Sequence, residues 1–101
     1  MNRRLIQASR HGFTDEVRRL LNEGADVSSF ENSALHEASE SGHLEIVKIL
    51  LDSGADIHSR FDFALRGACC RENFEVVKFL IERGADIHAF NSECITQVIL
   101  S

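Results

Sequence analysis

The 101-residue sequence contains no proline, and no apolar run approaches the roughly 20 residues that a membrane-spanning helix needs. Its start, MNRRLIQASR, lacks the apolar segment of a secretory signal. The only cysteines are Cys69, Cys70 and Cys94, an odd number that suits free thiols in a reducing compartment better than a disulfide framework. We therefore expect an intracellular, cytoplasmic protein folded as a single domain over residues 1–101.

Lys and Arg are fewer than Asp and Glu, and the charged residues are unevenly distributed along the chain. The net charge of −5 argues against nucleic acid as a ligand, because binding a phosphate backbone requires clustered Lys and Arg. Residues 1–30 carry five basic and four acidic side chains. Residues 31–60 carry two basic and six acidic side chains, and residues 61–101 carry four basic and six acidic ones. The acidic middle predicts a protein partner that is basic or of mixed charge, with no role for nucleic acid or membrane.

The motif GAD begins at Gly24, Gly54 and Gly84, so the chain repeats every 30 residues. The register gives three repeats at about 1–30, 31–60 and 61–90, and a partial fourth at 91–101. Apolar residues recur in fixed columns, with the spacing of a helical stripe in the second half of each repeat. These columns include Leu5, Leu35, Leu65 and Ile95; Val17, Val47 and Val77; and Leu20, Leu50 and Leu80.

Each repeat is expected to form two short helices that stack on the next pair, because one pair cannot bury its own apolar stripe. The predicted pairs are 3–10 with 14–23, 33–41 with 44–53, and 63–71 with 74–83, followed by a lone helix at 93–99. The predicted N-cap residues share one column, at Asn2, Asn32, Asp62 and Ser92. The GAD glycines are predicted to end the second helices.

The two ends of the array depart from the apolar columns. Repeat one has polar residues where the later repeats are apolar, which favours a soluble end and a genuine start at Met1. These polar residues are Arg4, Thr14, Glu16 and Arg19. In the tail, Val98, Ile99 and Leu100 replace small or polar residues. We expect this tail to cap a monomer; self-association through it is the alternative.

The segment SALHEASESGHLEIVKILLDSGADIH resembles the ankyrin repeat, whose pattern runs T-P-L-H, small residues, G-H, an apolar helix and G-A-D. Repeat three departs from it at Arg71, Glu72 and Asn73, and no repeat has the proline. The family repeat has about 33 residues, and the three missing ones fall in the hairpin finger. The short form is similar to arrays of giant DNA viruses. The resemblance implies an all-α solenoid of stacked antiparallel helix pairs with shortened finger loops.

The five histidines do not indicate catalysis. His36 matches the histidine of T-P-L-H, and the resemblance implies that it fastens the loop to the helix. The sequence contains no H-E-x-x-H, no C-x-x-C and no Gly-rich phosphate loop. We therefore expect no catalytic, metal or cofactor site, and no enzyme. The alternative is a thiol-reactive or metal-binding protein that uses Cys70 with a nearby histidine.

The resemblance implies noncatalytic protein binding, as an interaction module or adaptor, through the concave face of finger loops and first helices. Large apolar groups in water often mark such a surface. Phe61 is the better contact candidate, since Phe63 could instead pack beneath its own loop. The predicted contact residues are Phe61, Arg66, Glu37, Glu31, Glu40, Arg60, Phe63 and Phe90.

Overall fold

The structure, a computed structural model, describes residues 1–87, and all of the regular secondary structure in this range is helical. The helices are α1 (Asn2–His11), α2 (Thr14–Asn22), α3 (Ser29–Ser41), α4 (Leu44–Asp52), α5 (Ser59–Cys70) and α6 (Phe74–Glu82). They pack as pairs, and α1, α3 and α5 lie side by side while α2, α4 and α6 form a second layer. The result is an elongated stack of 41 × 20 × 18 Å.

The repeated apolar columns form one continuous core, as the register predicts. Leu35, Leu50 and Leu80 have no exposed surface, and Leu5 and Leu20 retain only 1%. The small column at Ala8, Ala38 and Ala68 lets the first helices approach closely, and each of these residues is at most 3% exposed. Complete burial of one leucine contributes about 1.5–3 kcal/mol to stability, so each leucine of the two leucine columns stabilises the stack.

The GAD glycines end the second helices as predicted. Gly24, Gly54 and Gly84 have φ values of 102°, 102° and 100°, in the region that only glycine adopts easily. The next residue then bonds back to the helix; for example, the Ala55 N–H donates to the Leu50 carbonyl at 3.0 Å. The chain can therefore turn sharply toward the next finger.

The predicted N-caps are wrong for the three column residues that the structure describes. No side chain caps the N-terminus of α1, α3 or α5. Each residue instead accepts a hydrogen bond from a backbone N–H 24 positions later, in the GAD loop that closes the same repeat. These clasps join Asn2 to Asp26 (2.9 Å), Asn32 to Asp56 (3.0 Å) and Asp62 to Asp86 (2.7 Å).

A left-handed turn replaces the hairpin finger, as the three missing residues suggested that no regular hairpin would form. Phe30, Glu31 and Asn32 have φ values of 54°, 56° and 64°, and the three residues at 60–62 repeat this geometry. The right-handed part of each first helix therefore starts at residue 33 or 63, as predicted. Left-handed backbone costs about 1–2 kcal/mol per non-glycine residue, so neighbouring groups must hold these turns.

Three sequence expectations lie outside the described residues: the helix at 93–99, the packing of the tail, and Phe90. Within residues 1–87, every helix is too short or too polar to cross a bilayer.

The expectation of free thiols is wrong for Cys69, which is disulfide-bonded and buried. A small-residue column on a helix shows that a cysteine is buried but gives no signal of its covalent state. Cys70 is a free, exposed thiol.

Candidate protein-binding surface

The finger turns place two phenylalanines in solvent. Phe61 is 83% exposed and Phe30 is 59% exposed, the first at the middle and the second at the start of its left-handed turn. Phe63 differs, because it is half-buried against the His36 ring at a centroid distance of 4.9 Å. The ring therefore packs on α3 of the preceding repeat. Phe61 is therefore the more accessible of the two predicted contacts in repeat three.

Arg66 holds the second finger turn together. Its Nη2 donates to the Arg60 carbonyl at 2.9 Å, and its Nε donates to the Phe61 carbonyl at 3.2 Å. The guanidinium also lies over the Phe63 ring, 5.4 Å from its centroid. These bonds satisfy two carbonyls that a left-handed turn leaves open. Arg66, predicted as a partner contact, thus has a structural role in the second finger turn.

Serine hydroxyls support the first finger turn. The Ser33 hydroxyl donates to the Phe30 carbonyl at 2.5 Å, and the Ser59 hydroxyl donates to the Glu31 carbonyl at 2.9 Å. Because Ser59 belongs to the next finger, the second bond also links neighbouring fingers. The two exposed phenylalanines are therefore attached to braced backbone.

His36 lies beneath this surface and is 6% exposed. Burial lowers its pKa, and the positive charge of Arg60 adds to the effect, while a backbone hydrogen bond with Ser59 opposes it. The contact of its ring with Phe63 joins α3 to the first helix of the next repeat, and its Nε2 has no hydrogen-bond partner among the described residues. The fastening of loop to helix by the imidazole stays a prediction of the resemblance.

The carboxylates among the predicted contacts are paired with arginines of α1, the second finger turn and the end of α5. Glu37 receives two bonds from Arg10, at 3.1 and 3.3 Å. Glu31 pairs with Arg60, and Glu40 lies 3.9 Å from Arg71. Exposed pairs contribute about 0–1 kcal/mol each, so their main effect is on the charge that the surface presents.

A groove of about 560 Å³ lies between repeats one and two, lined by side chains of α1, α3 and the two finger turns. It contains three of the predicted contacts, Glu31, Glu37 and Arg60, and the exposed Phe30 forms part of its wall. Phe61, Phe63, Arg66 and Glu40 lie outside it. The complete lining is Arg3, Ile6, Arg10, Phe30, Glu31, Ser33, Glu37 and Arg60.

Sequence reasoning missed the contribution of α1 to this groove. Arg3 shares its column with Ser33 and Phe63, and Ile6 shares its column with His36 and Arg66. Extending the columns of the predicted contacts back by one repeat would have found both residues. The polar character of repeat one drew attention to its end instead of its concave side.

The thiol or metal alternative finds no support in the part of the chain that the structure describes. No cluster of three or more His, Cys, Asp or Glu side chains there has the arrangement of a metal site. Cys70 is exposed on α5, and no described hydrogen bond or ion pair joins it to a histidine. A nucleophilic cysteine requires a base within hydrogen-bond reach.

Comparison with protein families agrees with this geometry. The family model described as "Ankyrin repeats (3 copies)" matches residues 3–61, and that described as "Ankyrin repeat" matches residues 63–92. No curated protein matches the chain. The first match alone covers more than half of the sequence and includes the helix pairs, GAD turns and first finger described above. The chain therefore belongs to the ankyrin-repeat family.

Proposed function

We propose that this protein is a noncatalytic interaction module, an adaptor whose partner protein contacts the concave face of finger turns and first helices. The observation that carries the proposal is the exposure of Phe30 and Phe61 on successive fingers. Large apolar side chains in water lose hydration on binding and commonly dominate the energy of an interface.

The bracing of the fingers supports this role. Arg66 and two serines hold the left-handed turns, so little backbone freedom is lost when a partner binds. A preorganised surface gains affinity because the ordering cost has been met during folding. Glu31, Glu37 and Arg60 line the groove beside Phe30 with charge of both signs, which fits a partner of mixed charge.

The test is affinity capture from a cell extract on the 101-residue chain, followed by mass spectrometry. We expect wild type to retain a protein that Phe61→Ala and Phe30→Ala retain at least about tenfold less, as for the loss of an aromatic contact. Lys78→Ala is the matched control, since Lys78 is exposed on α6 and absent from the proposed surface. A protein retained equally by all variants would place the interface elsewhere.

A further inference from the structure

The groove between repeats one and two has a charge opposite to that of the chain. Three arginines and two glutamates line it, whereas the whole chain carries −5. Both glutamates are engaged by arginine, Glu37 by Arg10 and Glu31 by Arg60. Arg3 is exposed and has no ion pair within residues 1–87. The groove therefore has an unpaired cation and no unpaired carboxylate.

The lining of the groove also has more hydrogen-bond donors than acceptors, which favours an anionic occupant. A guanidinium has five N–H donors and no acceptor, and the pairs use two nitrogens of Arg10 and one of Arg60. Both oxygens of Glu37 already accept bonds. Donors are therefore in excess, and an occupant must bring acceptors, best of all carboxylates that match the arginine fork.

Apart from Ser33, whose hydroxyl donates to the Phe30 carbonyl, the rest of the lining is apolar. Ile6 is half-buried in α1, and the Phe30 ring is 59% exposed at the finger tip. An occupant that satisfied only the arginines would leave this apolar surface in water. A side chain such as Leu or Phe next to the carboxylate would cover it.

We propose that this groove binds an extended acidic segment of the partner protein, in which an Asp or Glu pairs with Arg3 and a neighbouring apolar side chain packs on Phe30 and Ile6. The inference rests on the proposed function and names its partner's chemistry. Composition had pointed to a basic or mixed-charge partner, but the carboxylates of the middle repeat that face this groove are occupied by arginine. Charge complementarity at the groove thus favours an acidic segment.

The experiment is a phage-display selection of random peptides on the 101-residue chain, with fluorescence anisotropy of the enriched peptides. We expect peptides that combine Asp or Glu with a neighbouring apolar residue, and binding that weakens as salt rises. Arg3→Glu should weaken binding at least about tenfold, because it places a carboxylate opposite a carboxylate. Phe30→Ala should weaken it through the apolar contact.

Lys78→Glu is the control, because it changes the net charge equally but lies on α6, away from the groove. Its affinity should stay within about twofold of wild type, since the effect of a distant exposed charge is screened. Enrichment of Lys- or Arg-rich peptides, no enrichment at all, or acidic peptides that bind Arg3→Glu unchanged would each overturn the inference. None of these results decides the proposed function, which fails only if protein capture is insensitive to Phe61 and Phe30.

Discussion

Repeats two and three bury the same columns of side chains but close their turns with different chemistry. In repeat two the inter-helix turn uses Gly42 at φ 78°, whereas repeat three places Glu72 in the same left-handed region at φ 59°. The clasp also changes, from the neutral amide of Asn32 to the carboxylate of Asp62, which additionally accepts a bond from His58 at 3.0 Å. The comparison shows that the core determines the repeat geometry, and that the turns accept substitutions that lower stability without changing this geometry.

The turn residue that follows differs too, yet its contact is kept. His43 Nε2 lies 3.0 Å from the Arg10 carbonyl, in the preceding repeat. Asn73 Nδ2 donates to the carbonyls of Ser39 and Glu40, at 3.1 and 2.7 Å. An amide thus replaces an imidazole in tying a turn to the end of the previous first helix. The departure of repeat three from the G-H pattern leaves the stacking contact intact.

The largest expected loss of stability tests whether repeats two and three contribute equally to the continuous core. Leu50→Ala and Leu80→Ala should each lower the free energy of unfolding by about 2–5 kcal/mol, because both residues have no exposed surface and leave a cavity. Urea unfolding followed by circular dichroism measures both. A Leu80 variant as stable as wild type would show that repeat three does not share the core.

The clasps should rank next. Asp62→Ala should cost about 1–3 kcal/mol, since it removes a 4%-exposed acceptor shared by Asp86 N–H and His58, whereas Asn32→Ala loses one neutral bond worth about 0.5–1.5 kcal/mol. Asp62→Asn restores the amide of repeat two and serves as the matched control, with most of the stability retained. Equilibrium unfolding that ranked Asn32→Ala as the costlier change would contradict the comparison.

The inter-helix turns can be exchanged between the repeats. Gly42→Ala should destabilise by about 1–2 kcal/mol from the left-handed backbone alone, and its Cβ would lie 2.8 Å from Asn73 Oδ1. Glu72→Gly should stabilise by up to about 1 kcal/mol, because the relief of strain exceeds the added freedom of the unfolded chain. Thermal melts of both variants measure the change: the midpoint should fall for Gly42→Ala and rise for Glu72→Gly. Destabilisation by Glu72→Gly would mean that the Glu72 side chain contributes more than its strained backbone costs.

Two histidines give opposite pH dependences. The hydrogen bond to Asp62 raises the pKa of His58 above 6.5, so its contribution is complete below that value and is lost as the pH rises through the folded-state pKa. Burial lowers the pKa of His36, so its contribution is complete above 6.5 and is lost as the pH falls. His58→Gln should therefore lose more stability on acidification than wild type does. Unfolding midpoints of both proteins on both sides of pH 6.5 provide the measurement. The same dependence on pH in wild type and His58→Gln would exclude a contribution of His58.

The smallest effect extends the comparison to repeat one. Glu16 and Arg19 occupy columns that are apolar in repeats two and three, and they pair with each other on the surface. Glu16→Ala and Arg19→Ala should leave the unfolding midpoint nearly unchanged, because exposed pairs add little. Losses as large as those of the leucine variants would show that this face is packed.

The helices and core could be predicted because columns 30 residues apart reveal which positions are buried, without any knowledge of contacts. The clasps could not be predicted in this way. Asn and Asp suit an N-cap as well as a distant backbone N–H, and the choice depends on a loop 24 residues away. The left-handed turns were missed because Phe, Glu and Arg carry no signal for that backbone region.

The pairing of Arg10 with Glu37 and of Arg60 with Glu31 was also beyond sequence reasoning. Composition shows six acids in repeat two but not which of them pair with an arginine in the folded chain. Net charge therefore describes the chain and not the groove. The exposure of Phe61, by contrast, could be inferred, because its column holds Glu31 and Asn91 in the neighbouring repeats.

The clasp that joins the start of each repeat to its own GAD loop has a consequence for how such arrays lengthen. Both ends of the bond lie within one 30-residue unit, so a duplicated unit brings its donor and its acceptor with it. A tandem copy inserted in register needs no compensating substitution elsewhere to close its loop. Growth by whole-unit duplication therefore keeps every clasp closed, whereas an insertion between the two partners of a clasp separates them.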